Sequence, residues 1–94
     1  MARSEDIVVA AKTWTEITSG DVTSITFQNK SPATPMQVQA TAGSVEPPDV
    51  EGVLYTAGAG EFGLSIGSAF PGVMGANRVW VYANQQIEVF VSHA

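Results

Sequence analysis

No stretch of ten residues in this chain keeps an apolar stripe at helical spacing without a Gly or Pro interrupting it, and this constrains the fold more than any other feature. What recurs instead is short runs of β-branched and aromatic residues in strict alternation, separated by clusters of Gly, Pro, Asn and Ser. Successive side chains of a strand point to opposite faces, so alternation marks a strand with one covered face. In Met36-Gln37-Val38-Gln39-Ala40-Thr41, the residues Met36, Val38 and Ala40 are expected in the core, with Gln37, Gln39 and Thr41 outside. Residues 22–28, 78–83 and 86–92 read the same way, and 13–17, 52–56 and 61–66 are weaker candidates. The expected fold is therefore all-β: a small antiparallel β-sandwich of about seven strands, with a small β-barrel as the alternative and helix limited to a turn or two.

A chain of 94 residues holds one compact domain, assigned to residues 13–94. Residues 1–12 are an N-terminal arm or the first strand. There the apolar run Ile7-Val8-Val9-Ala10-Ala11 follows a polar leader, and an arm of that kind could add a strand to the sheet edge of a neighbouring subunit. Asn84-Gln85 joins the last two strands, which reads as a tight antiparallel hairpin with Asn able to take positive φ. Residues 43–75 are loop-rich: Pro47-Pro48 enforces an extended stretch, Gly58-Ala59-Gly60 is pliant, and Phe70-Pro71-Gly72 is a turn.

A core of this size buries only about 60–65% of the surface its unfolded chain exposes. No cysteine can form a disulfide, and a single histidine leaves no ligand set for structural zinc, so association is the remaining ordinary source of stability. Charged residues make up 14% of the chain, well below the roughly 25% usual in soluble proteins. Much of the surface is consequently neutral and cheap to desolvate against a partner. Four Lys or Arg against nine Asp or Glu leave no basic stripe, which excludes nucleic acid as a partner. No apolar run approaches the roughly 20 residues that span a bilayer, so no membrane is expected either. The acidic opening Met1-Ala2-Arg3-Ser4-Glu5-Asp6 is unlike a signal peptide, and synthesis and retention in a cytosol-like compartment follow as expectations.

Catalytic constellations are not expected. The only imidazole, His93, stands one residue from the end of the chain, where a solvated histidine is the simpler reading. Glu46, Asp49 and Glu51 flank Pro47-Pro48 in a loop, with a spacing that matches neither a glycosidase pair nor a calcium loop. Gly58-Ala59-Gly60-Glu61-Phe62-Gly63 copies the dinucleotide-binding glycine pattern, but no helix follows, and Glu61 would repel a pyrophosphate. These glycines read as turn and bend residues. No catalytic residue, cofactor or metal ligand is assigned, and the chain is expected not to be an enzyme.

The C-terminal strands carry the most informative pattern, because both of their faces are apolar. Val79, Val81, Ile87, Val89 and Val91 lie on one face, and Trp80, Tyr82 and Phe90 lie on the other, where a free sandwich carries polar groups. Such a face needs a cover. Trp14, the Phe70 turn or a loop could supply it from within the chain, or a second subunit could, since Trp, Tyr and Phe are enriched as interface anchors. The interface candidates are Ile7, Val8, Val9, Trp80, Tyr82 and Phe90. Sugar stacking on Trp80 or Tyr82 is a further alternative.

The order of these segments resembles small virion structural proteins of tailed bacteriophages. The resemblance rests on Trp14 within Thr-Trp-Thr-Glu-Ile, on Asp21-Val22-Thr23-Ser24-Ile25-Thr26-Phe27-Gln28-Asn29, on Gly75-Ala76-Asn77-Arg78-Val79-Trp80-Val81-Tyr82-Ala83, and on Val89-Phe90-Val91-Ser92-His93-Ala94. It implies a β-sandwich that decorates or cements a capsid or forms the base of a head spike. The implied partners are a major capsid protein or other virion proteins, together with further copies of the chain, a trimer being favoured. It also implies location on the capsid surface after synthesis in the host cytoplasm. A small carbohydrate-binding module displayed on a particle and a tail accessory protein are the alternatives.

Overall fold

A computed structural model describes residues 2–94 of the chain. Each alternating run forms a strand, and residues 3–9 add an eighth: β1 (Arg3–Val9), β2 (Thr15–Glu16), β3 (Ser24–Asn29), β4 (Met36–Thr41), β5 (Val53–Tyr55), β6 (Gly60–Ser65), β7 (Arg78–Tyr82) and β8 (Ile87–His93). One helical turn, α1 (Ile66–Ala69), follows β6. It brings Ile66 and Phe70 into the core, so the Phe70 turn fills the interior rather than covering an outer face.

The strands make two four-stranded antiparallel sheets, ordered β1-β8-β3-β6 and β2-β7-β4-β5. First pairs with last, second with seventh, third with sixth and fourth with fifth, as though one long hairpin had been rolled into a sandwich. That strand order is a jelly roll, an architecture that limits exposed edges by wrapping two Greek keys together. The edges that remain are blunted. β2 has two residues and β5 three, β6 carries a register shift opposite Ile25 and Phe27, and β1 bears Arg3, Glu5 and Asp6. Within β6, a side chain at Gly60 would collide with the Phe27 carbonyl, so this glycine is required by the close approach of β3.

The core lies between the two inner faces. Val38, Val79 and Val81 from one sheet meet Val9, Phe27, Val89 and Val91 from the other, each at most 1% exposed. Burial of such side chains contributes about 1.5–3 kcal/mol apiece.

One expectation is corrected here, and one open alternative is decided. β7 and β8 do not form a hairpin: they lie in different sheets, and residues 83–86 turn the chain from one sheet to the other. A short polar link suits such a corner as well as a hairpin, and the valines on the two strands face each other across the sandwich. The N-terminal segment is the first strand of the domain, not an arm reaching outward, because β1 pairs along its whole length with β8, from Arg3 opposite His93 to Val9 opposite Ile87.

Candidate interaction surface

The outer face of the β2-β7-β4-β5 sheet carries Glu16, Trp80, Tyr82, Gln37, Gln39 and Leu54, as the register pairs Glu16 with Trp80, Trp80 with Gln39, and Gln37 with both Tyr82 and Leu54. Trp14, just before β2, tilts its ring against Tyr82 with centroids 5.5 Å apart. The eleven-residue connection from β4 to β5 folds across this face and is tied to it at several points. Trp14 Nε1 donates to the Asp49 carbonyl at 2.6 Å, Ser44 Oγ to Glu16 Oε1 at 2.8 Å, and Gln39 Nε2 to the Glu51 carbonyl at 3.2 Å. At its start, Gly43 N–H donates to Asn77 Oδ1 at 2.7 Å. The cover for the aromatic face thus comes from within the chain. Trp80 is 8% exposed, with its indole N–H donating to Thr41 Oγ1 at 2.9 Å.

The covering loop turns apolar groups outward in its turn. Val45 at 66% and Val50 at 52% are exposed on the loop, and Leu54 at 60% is exposed beside them on the outer face of β5. Between the loop and the sheet lie open recesses. One is lined by Pro35, Gln37, Val50, Leu54, Tyr82 and Asn84, and its neighbour by Lys12, Trp14, Glu46, Pro47, Asp49, Val50 and Tyr82. Gln37 lines the first, and its Oε1 is enclosed, out of reach of solvent, with no hydrogen-bond partner. An enclosed carbonyl oxygen without a donor is costly.

At the side of the face, Glu16 receives Arg78 Nη1 at 2.8 Å, Thr18 Oγ1 at 2.9 Å and Ser44 Oγ, and Arg78 Nε also donates to Asp21 at 2.9 Å. Burial acts to raise the pKa of Glu16, but the bonds from Arg78, Ser44 and Thr18 and the Arg78 charge outweigh it, and the net shift is downward. The same bonds to Glu16 and Asp21 raise the Arg78 pKa. On the opposite sheet, Lys30 reaches across β8 to Asp6 at 2.8 Å, on the face that carries Phe90.

His93 is buried at 7% exposure, which corrects the expectation of a solvated chain end. Its Nε2 accepts the Ser19 backbone N–H at 3.1 Å and its Nδ1 lies 3.0 Å from the Ala94 carbonyl. Ser19 Oγ stands 3.4 Å from Nε2. The Nε2 lone pair is therefore engaged by a backbone amide rather than held for that hydroxyl, and this pair is a structural tie between β8 and the turn after β2. Asp49 Oδ1 accepts the Glu51 N–H at 3.1 Å, so this part of the acidic loop shapes its own backbone.

The structure separates the sequence-derived interface candidates. Val9 is fully enclosed in the core, Ile7 packs against it, and Trp80 is covered. Tyr82 is half-buried beside Trp14. Val8 is 53% exposed and Phe90 half-buried, both on the outer face of the other sheet, so they share no surface with Trp80 or Tyr82. Sequence reasoning missed Gln37, Val50 and Leu54; a loop with exposed valines between two prolines and an edge strand was the available signal. Comparison with family models, with characterised proteins and with solved structures returned no match.

Proposed function

We propose that this chain is a non-enzymatic structural protein of a phage particle, which decorates or cements the capsid or forms the base of a head spike through protein–protein contacts. The observation that carries the reading is the outward layer of Val45, Val50 and Leu54 over an already covered sheet. Several large apolar side chains grouped on one loop and strand mark a contact surface, whereas scattered ones do not. The low charge of the chain lowers the cost of burying such a surface. The resemblance to phage virion proteins supplies the setting, and jelly rolls recur in viral capsid domains, although also in lectins and cupins. The carbohydrate-binding alternative draws little support from Trp80, whose ring is covered and therefore offers no stacking platform.

The test is presence on density-purified particles of the phage that encodes the chain, by immunodetection, with Leu54→Asp in place of the native protein as control. The native chain is expected on the particle and the variant in the supernatant. A native chain found only in the supernatant, or a folded variant bound as well as the native one, overturns the reading. Self-association is tested separately by light scattering over a dilution series. The expected mass is three times that of the 9.8 kDa chain, and a monomer at every concentration removes the trimer.

A further inference from the structure

We propose that His93 is an acid-released clasp, which holds the Ser19-Gly20 turn of the β2–β3 connection on β8 while its imidazole is neutral and frees it when a proton is added. The ring's partners fix its tautomer. A backbone N–H only donates and a carbonyl oxygen only accepts. Nε2, 3.1 Å from the Ser19 nitrogen, therefore carries the lone pair, and Nδ1, 3.0 Å from the Ala94 carbonyl oxygen, carries the hydrogen. An added proton has one place to go, Nε2, and there it turns the acceptor into a second donor facing the Ser19 N–H. The bond and the imidazolium exclude each other. Ser19 Oγ, 3.4 Å from Nε2, can accept the new N–H only once the backbone N–H has moved aside. At 7% exposure the ring has little water to take over the lost bond.

The surrounding charges offer an imidazolium no carboxylate of its own. Across the strand pair from His93 stands Arg3, which donates to the Ile17 carbonyl at 3.1 Å and pairs with Glu5 at 3.0 Å. Among the described residues of β1, β2, the β2–β3 connection and β7, the other charged groups are paired as well: Asp6 with Lys30, and Glu16 and Asp21 with Arg78. β3 carries no charged residue, and Glu88 of β8 is exposed near the far end of its strand. Backbone bonds mark out what can move. Ile17 N–H is held by the Val79 carbonyl and Val22 N–H by the Asn77 carbonyl, so the segment that opens is the turn between them. Acid acts on this clasp selectively. His93 is the only histidine and there is no cysteine, so no other side chain has its ordinary titration between about pH 5 and pH 8.

The experiment is NMR on the isotope-labelled full chain, taken from about pH 8 down to about pH 5. An N–H···N bond transmits a scalar coupling between its two nitrogens. That coupling, between the Ser19 backbone nitrogen and His93 Nε2, is expected at the upper end of the range and lost at the lower. Amide exchange at Ser19 and Gly20, corrected for its intrinsic pH dependence, should accelerate at least about tenfold over the same range, with Ile17 and Val22 unchanged. His93→Gln supplies a side-chain oxygen that accepts at every pH, so its Ser19 and Gly20 amides should keep their protection in acid. Three results in the native chain overturn the proposal: no coupling at the upper end, a coupling that survives to the lower end, or its loss with exchange at Ser19 and Gly20 unaltered. A His93→Gln chain that loses protection over the same range as the native one overturns it too, because the acid response would then belong to another group.

Discussion

Asn29 is fully enclosed at the end of β3, and its amide is spent on backbone partners in two loops. Nδ2 donates to the Thr34 carbonyl at 2.8 Å and the Thr56 carbonyl at 3.3 Å, while Oδ1 accepts the Ser31 N–H at 3.0 Å. Replacement by Ala strands these groups beneath the two loops, at an expected cost of about 2–3 kcal/mol. The drop in Tm should be on the order of 10 °C in a domain of this size; a calorimetric Tm unchanged from the native value would contradict the assignment. Glu16 yields a pH prediction. Its folded-state pKa is lowered despite burial, by Arg78, Ser44 and Thr18, so the unfolded state binds the proton more tightly. The stabilisation is fully present above the unfolded value, about pH 4.3, and is lost as pH falls through the lower folded value. In urea melts, the advantage of the native chain over Glu16→Gln should be present at neutral pH and shrink below about pH 4. A difference that stays constant with pH would show that the carboxylate charge is not what Arg78 reads.

At the scale of elements, the β4–β5 connection behaves as a pinned cover, and Trp14 is the pin that reaches furthest into it. Trp14→Phe keeps a ring against Tyr82 but removes the donor to the Asp49 carbonyl. The expected loss is about 1 kcal/mol of global stability, with a larger local effect: amide exchange of Val45, Val50 and Glu51 should accelerate while β3 and β8 stay protected. Uniform acceleration across both sheets would mean that the loop is not an independent unit. This cover was not legible in the sequence, because its partners are 35 residues apart and no local pattern joins Trp14 to Asp49. The strands were legible. Alternation in β4 places Met36, Val38 and Ala40 inside and the glutamines outside, as found. Pairing was harder to read, since Asn84-Gln85 fits a hairpin and a sheet-to-sheet corner equally, and only the opposed valines of β7 and β8 discriminate. The recess around Gln37 was hidden for a related reason: an outward glutamine looks the same whether water or a folded-back loop covers it.

For the whole molecule, the rolled-hairpin order makes almost every pairing nonlocal, and the outermost one joins the two ends of the described chain, with Arg3 opposite His93. Loop closure must precede any return from such contacts, so folding is expected on the millisecond-to-second scale of all-β domains. Connectivity can be changed without changing the contacts. The turn after α1 is exposed at Met74, 94% accessible, so new termini opened between Met74 and Gly75 disturb no strand. Joining the present ends by a short Gly-Ser linker then turns β8 and β1 into a local hairpin. If forming that pair limits the rate, the permutant should fold at least about threefold faster in stopped-flow refolding, with its unfolding rate nearly unchanged. If the folding rate stays the same, the nucleus lies elsewhere, and the β4–β5 end of the roll, already the most local pairing, is the place to look. Slower folding in a permutant of equal stability would mean that the severed link between α1 and β7 is itself part of the nucleus, placing Ile66 and Phe70 among the earliest groups to be buried.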